Sequence, residues 1–223
     1  MADEIKYTVF KDRKELFDQM ASDVSNDILA SLHTTGTCNI LLSGGNTPRP
    51  VYERIANMLP SLYNIKWGLV DDRFVDTESD HSNERMIREA LGERADIRGL
   101  VSELNDRSLN RQKAEEKYRP FILNTDIVIL GMGPDGHTAS IFPDDKASED
   151  VRTNNKSSIE NTKAPAYPTE RITCSTAMLC NSHKIYLLFT GKDKLDVLMD
   201  INLKLPIHDI ISKRRDIIIY YAD

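Results

Sequence analysis

The sequence predicts a single α/β domain over residues 1–223, with a mostly parallel, Rossmann-like sheet carrying helices on both faces. Three observations lead there. Short apolar runs alternate with segments of helical period, the pattern of successive strand–helix–strand units. A length of 223 residues suits one such domain and allows a sizeable core. Four loops at predicted strand ends concentrate glycine, hydroxyl and charged residues, and parallel sheets bind ligands outside the carboxyl ends of their strands.

The elements follow in order. Ile5 to Phe10 alternates and predicts a short strand. Leu16, Met20, Val24, Ile28 and Leu32 recur at near-helical spacing, which predicts an amphipathic helix over residues 12–33. Asn39 to Leu42 is a predicted strand ending at Ser43-Gly44-Gly45. Pro48 suits a helix start, with Val51, Ile55 and Leu59 on the inner face. Ile65 to Val70 is the next strand, ending at Asp71-Asp72-Arg73, and Ser82 is a suitable N-cap for a helix carrying Met86, Ile87 and Leu91. A helix over 106–123 precedes the strand Asp126 to Leu130 and a glycine loop. Residues 144–168 are polar and read as a long surface loop, of a kind that is often functional or mobile. Ile185 to Phe189, a turn and helix over Gly191 to Met199, and the strand Ile217 to Tyr220 complete the reading.

Composition narrows the function. The formal net charge of −6 weighs against bulk binding of nucleic acid or an anionic membrane. It leaves room for a small anionic substrate, because a few placed cations and helix N-termini hold one phosphate. No run approaches the ~18 apolar residues of a membrane span. The N-terminus lacks the layout of a secretory signal. Cys38, Cys174 and Cys180 form no CxxC pair and fit a reducing compartment, so a cytoplasmic location is expected. The Asn155-Lys156-Ser157 sequon is then a chance match.

The run Gly131 to Ser140, GMGPDGHTAS, is the most informative stretch. Its glycines supply a sharp turn directly after an apolar strand, and Asp135 stands two residues from His137. A histidine oriented by a carboxylate suits proton transfer near neutral pH. The competing reading makes Asp135 a helix cap and His137 a surface residue. Gly131, Gly133 and Gly136 also spell the GxGxxG dinucleotide fingerprint, but no strand ending in an acidic residue follows ~20 residues later. His33, His81, His183 and His208 sit in polar contexts, are expected at the surface, and form no HExxH-like metal pair.

Ser43-Gly44-Gly45-Asn46-Thr47-Pro48-Arg49 joins a strand to a helix. Bare backbone N–H groups, the helix dipole, two hydroxyls (Ser43 and Thr47) and Arg49 make it a candidate phosphate loop, although no Walker Lys-Ser/Thr pair follows. In Asp71-Asp72-Arg73, Asp71 is expected to face substrate and Arg73 to stabilise a developing oxyanion, against the alternative of a solvated ion-paired turn. Lys194 opens a helix, where a cation is unfavourable unless an anion is present. Arg171 is a weaker candidate of the same kind.

The blocks LSGGNTP (42–48), DDRFV (71–75), SNERM (82–86), GMGPDGHTAS (131–140), RIT (171–173) and GKDK (191–194) run in order along the chain. In them the sequence resembles the 6-phosphogluconolactonases, in the superfamily that these share with glucosamine-6-phosphate deaminases. The resemblance implies hydrolysis of 6-phospho-D-glucono-1,5-lactone in the oxidative pentose phosphate pathway, without metal or cofactor. His137 would activate water beside Asp135, and Ser43, Gly44, Gly45, Arg49, Arg171 and Lys194 would hold the phosphate. A small sugar-phosphate lactone is then the partner, with no nucleic acid or membrane, and the protein is expected as a monomer or weak homodimer. The deaminases resembled carry Tyr where this chain has Arg73, and a ring-opening Glu where it has Phe142. Asp72 departs from the lactonase pattern, where Glu is usual. Two other readings stay open: a sugar-phosphate deaminase, and a catalytically silent sensor using the same pocket.

Overall fold

The structure, a computed structural model, describes residues 5–223. Its strands are β1 (Thr8–Val9), β2 (Cys38–Leu42), β3 (Ile65–Leu69), β4 (Asp71–Arg73), β5 (Asp96–Arg98), β6 (Thr125–Gly131), β7 (Ile159–Lys163), β8 (Glu170–Cys174), β9 (Ser182–Thr190) and β10 (Ile218–Ala222). Its helices are α1 (Arg13–Thr35), α2 (Arg49–Met58), α3 (Asn83–Leu91), α4 (Arg107–Lys117), α5 (Arg119–Leu123), α6 (Lys146–Thr153), α7 (Thr176–Cys180), α8 (Lys192–Met199) and α9 (Pro206–Lys213), with a 3₁₀ turn at Ile201–Leu203.

Seven strands form one sheet in the order β1-β10-β9-β6-β2-β3-β5, and every pairing in it is parallel. β2 and β6 lie inside this sheet, and their apolar side chains are buried in near-continuous runs, as strands covered on both faces require. From β2 the chain steps one way to β3 and β5, then returns to the other side of β2 for β6, β9 and β10. The strand order therefore reverses between β2 and β6. Right-handed crossovers then place α1–α3 on one face and the helices between β5 and β10 on the other. A crevice opens beyond the carboxyl ends of β2 and β6, the general ligand position in such sheets. The predicted α/β architecture is the observed one.

A second sheet, β4-β8-β7, is antiparallel and springs from the end of β3. Val70 bridges the two sheets: its N–H donates to Leu42 O and its carbonyl accepts from Cys174 N. This sheet overturns the reading of 144–168 as a loop. That segment holds α6 and β7. Its polarity has a physical source: Asp145 caps α6 by accepting from Ser148 N, and β7 buries only Ile159 and Thr162. Asp71-Asp72-Arg73 is likewise a strand and not a turn.

Other differences are local. The strand expected over Ile5 to Phe10 reduces to Thr8–Val9 at the sheet edge, paired only with β10. The helix expected over 106–123 divides at Tyr118, with Pro120 in the first turn of α5. Tyr118 Oη accepts from Leu69 N and donates to Arg98 O, tying that break to β3 and β5. Ser82 caps α3 as expected, accepting from Arg85 N at 3.2 Å.

Candidate active site

Three segments converge at the switch point. The β2–α2 turn brings Ser43 to Pro48, β4 and β8 bring Asp71, Arg73 and Arg171, and the turn after β6 brings His137. With Asn83 and Lys194 they line one cavity of about 240 Å³. A larger cavity of about 770 Å³ beside α9 is lined by none of the predicted site residues. Size alone therefore does not locate the chemistry here; convergent polar groups do.

His137 and Asp135 form a pair. His137 Nδ1 lies 2.5 Å from Asp135 Oδ1, which also accepts from His137 N at 3.2 Å. Burial raises the Asp135 carboxyl, but the hydrogen bond and charge of His137 outweigh it and hold the group below the ordinary carboxylate range. Asp135, held as a carboxylate, is an acceptor for Nδ1–H, and Nε2 is the ring nitrogen left without a protein partner among the described residues. No helix begins at this turn, so Asp135 is not a helix cap. Gly133 is required here: a Cβ on it would stand 2.1 Å from His137 Cε1 and 2.7 Å from Asp135 Oδ1. The dyad rests on that bare backbone.

The opposite wall is cationic. Arg73, Arg171 and Lys194 have no carboxylate within ion-pair distance among the described residues, whereas Arg49, Arg54, Arg85, Arg88, Arg107, Arg111, Arg152 and Arg214 each have one. Arg73 and Arg171 stand directly opposite each other across β4 and β8. Like charges so placed repel unless an anion joins them. Burial pulls the Lys194 ammonium and the Arg171 guanidinium below their ordinary values, which an anion would reverse. Lys194 Nζ donates to Met132 O at 2.8 Å, and Arg171 Nε to Pro168 O at 2.8 Å. Ser43 adds a buried hydroxyl with no hydrogen-bond partner, and Arg73 Nε is a second orphan of the same kind. Buried polar atoms are almost always satisfied, and these two, unlike the other unpartnered buried atoms among the described residues, belong to residues that line the cavity.

The predicted residues divide as follows. Ser43, Gly44, Gly45, Thr47, Asp71, Arg73, His137, Arg171 and Lys194 share the cavity, and Asp135 stands behind His137. Arg49 does not belong. It is the first residue of α2; its guanidinium pairs with Glu53 one turn on at 3.0 Å and with Glu89 of α3 at 3.1 Å, and it does not line the cavity. His208, expected at the surface, is buried: Leu205 N donates to its Nδ1, and its Nε2 lies 3.0 Å from Leu198 O.

Asn83 is the site residue that the reading of the sequence passed over. Its Nδ2 donates to Asp71 O, and its side chain fills the space where a Gly44 Cβ would stand, 1.9 Å from Oδ1. Its position just after the Ser82 cap was the available signal. Asp72 does not line the cavity. It accepts from Arg73 N, Asn83 N and Glu84 N at 2.7–3.0 Å and so ties β4 to the start of α3. Burial nevertheless pushes its carboxyl up to about 7 against those three donors. Asp71 Oδ2 is held by Ser140 Oγ at 2.5 Å, which keeps this carboxylate out of an ion pair with the arginines.

Comparison with known proteins bears on the family and the fold. The family of glucosamine-6-phosphate isomerases/6-phosphogluconolactonase matches residues 11–218. A 6-phosphogluconolactonase of Thermotoga maritima is 36% identical over 80% of this chain and 81% of its own length. One of Caulobacter vibrioides is 31% identical over 95% of this chain and 94% of its own. The crystal structure of a 6-phosphogluconolactonase from Shewanella baltica superposes with a TM-score of 0.91 at 28% identity, covering all of both chains. The chain belongs to the glucosamine-6-phosphate isomerase/6-phosphogluconolactonase family.

Proposed function

We propose that this protein hydrolyses 6-phospho-D-glucono-1,5-lactone to 6-phospho-D-gluconate, the lactonase step of the oxidative pentose phosphate pathway. Its family and its relatives support that reaction. The observation that carries the residue assignment is a histidine–carboxylate pair facing three unpaired cations and an orphaned hydroxyl across one small cavity.

In this reading Ser43, the N–H groups of Gly44 and Gly45, Thr47, Arg171 and Lys194 receive the phosphate at the start of α2. His137 Nε2 takes a proton from water, and the hydroxide adds to the lactone carbonyl carbon. Arg73, or a backbone N–H, stabilises the tetrahedral oxyanion. The C–O bond to the ring oxygen then breaks, and the imidazolium returns its proton to that oxygen. Asp135 holds the ring tautomer throughout. No step needs a metal or cofactor. A cytoplasmic location belongs to the same proposal, supported by three free thiols. Among the described residues no helix is long and apolar enough to cross a membrane.

Phe142 argues against the deaminase reading, because a phenyl ring moves no proton. The test is acid release from freshly generated lactone in the presence of chelator, with the spontaneous rate subtracted. Acceleration that His137→Ala abolishes is the expected result. Ammonia release from glucosamine 6-phosphate would instead favour the deaminase, and ligand-induced stabilisation without turnover the sensor.

A further inference from the structure

Phe142 lies outside the cavity, yet its ring touches both halves of the machinery. Its centroid is 4.7 Å from that of His137, with the planes at 43°. The Arg171 guanidinium carbon stands 5.6 Å from the same centroid. Arg171 has no carboxylate partner, so the ring face and the Pro168 carbonyl are the groups that aim it. His137 is gripped by Asp135 at Nδ1 and by the ring at its side.

The main chain that carries the ring is anchored from behind. Phe142 is buried, and its N–H donates to Ser148 Oγ at 3.0 Å. Ser148 Oγ donates in turn to Asp145 Oδ2, the cap of α6, which also accepts from Lys163 N at the end of β7. The segment 144–168 thus forms a buttress whose hydrogen bonds end on the backbone N–H of Phe142 and fix the main chain that carries the ring.

We propose that Phe142 is a positioning residue that fixes the separation between the base and the anion ligand, and thereby selects lactones with a phosphate at a set distance from the carbonyl. This rests on the roles assigned above to His137 and Arg171. A buried aromatic face holds a guanidinium with an energy worth a several-fold to ~30-fold effect on binding. A small displacement of a base from its reacting water is equally costly in rate.

The experiment compares kcat/KM for 6-phosphoglucono-1,5-lactone and for unphosphorylated glucono-1,5-lactone in wild type, Phe142→Leu, Phe142→Met and Phe142→Tyr. Met nearly conserves volume and guards against misfolding, and Tyr keeps the ring. Thermal melting selects the variants that fold as wild type does. The expected result is a ~10-fold fall in the preference for the phosphorylated lactone in the Leu or Met variant, with a raised KM and recovery to within ~3-fold in Tyr. A purely structural role would lower melting and leave the preference unchanged; an unchanged preference in the folded Leu or Met variant overturns the inference. An inactive wild type would instead sink the lactonase reading itself, so the two failures are distinguishable.

Discussion

His137 has one ring nitrogen committed to Asp135 and one available, and the two roles separate cleanly on mutation. His137→Ala removes the base and leaves the cations in place. It is expected to lose at least ~10²-fold in kcat with KM little changed, measured by lactone hydrolysis corrected for the spontaneous rate. A near-wild-type kcat would remove His137 from the mechanism. Lys194→Ala does the opposite. In the proposed role its ammonium, held by Met132 O beside the cavity, would meet the phosphate equally in ground state and transition state, so its loss is expected to raise KM while sparing kcat. A collapsed kcat at constant KM would place Lys194 at the reacting carbonyl instead.

At the scale of elements, Asp72 couples β4 to α3 and gives the junction a pH dependence. Its carboxyl is raised by burial from 3.8 to about 7 in the folded chain. The folded state therefore binds this proton more tightly than the unfolded state. The contribution is fully present below about pH 4 and is lost as pH rises through 7. Asp72→Asn keeps the side chain neutral throughout. The melting advantage of wild type over this variant is expected to shrink from pH 5 to pH 8, and a gap that widens would show that the three N–H donors prevail over burial. The same junction shows what was legible in sequence. The strands β2, β3, β6, β9 and β10 are apolar runs, and the glycine turns after β2 and β6 announce themselves, so the parallel sheet and most of the cavity were readable. The second sheet was not. β7 reads Ile-Glu-Asn-Thr-Lys and β4 is Asp-Asp-Arg, and such segments become strands through pairing with β8, a tertiary contact that propensity does not encode. Arg49 stands apart for a related reason: its sequence neighbourhood suggested an anion, but its guanidinium pairs with Glu89, 40 residues away, and does not line the cavity.

At the scale of the whole molecule, the chain carries a net charge of −6 and still leaves three cations unpaired around one cavity. In the unliganded protein Arg73 and Arg171 face each other as like charges and Lys194 is partly desolvated, so an anion that binds only the folded state should add stability. 6-Phosphogluconate at 100 times its Kd should stabilise the fold by about 2.7 kcal/mol, or a melting shift of roughly 5–10 °C for a domain of this size. The shift should fall with added salt, because the charges around an open cavity are screened. It should also fall in Lys194→Ala at the same ligand concentration, and persist in His137→Ala, where the anion site is intact. Equal stabilisation of wild type and Lys194→Ala would mean that the unpaired cations are not the phosphate seat, and the assignment of this wall would have to be abandoned even if the His137 mutant were inactive.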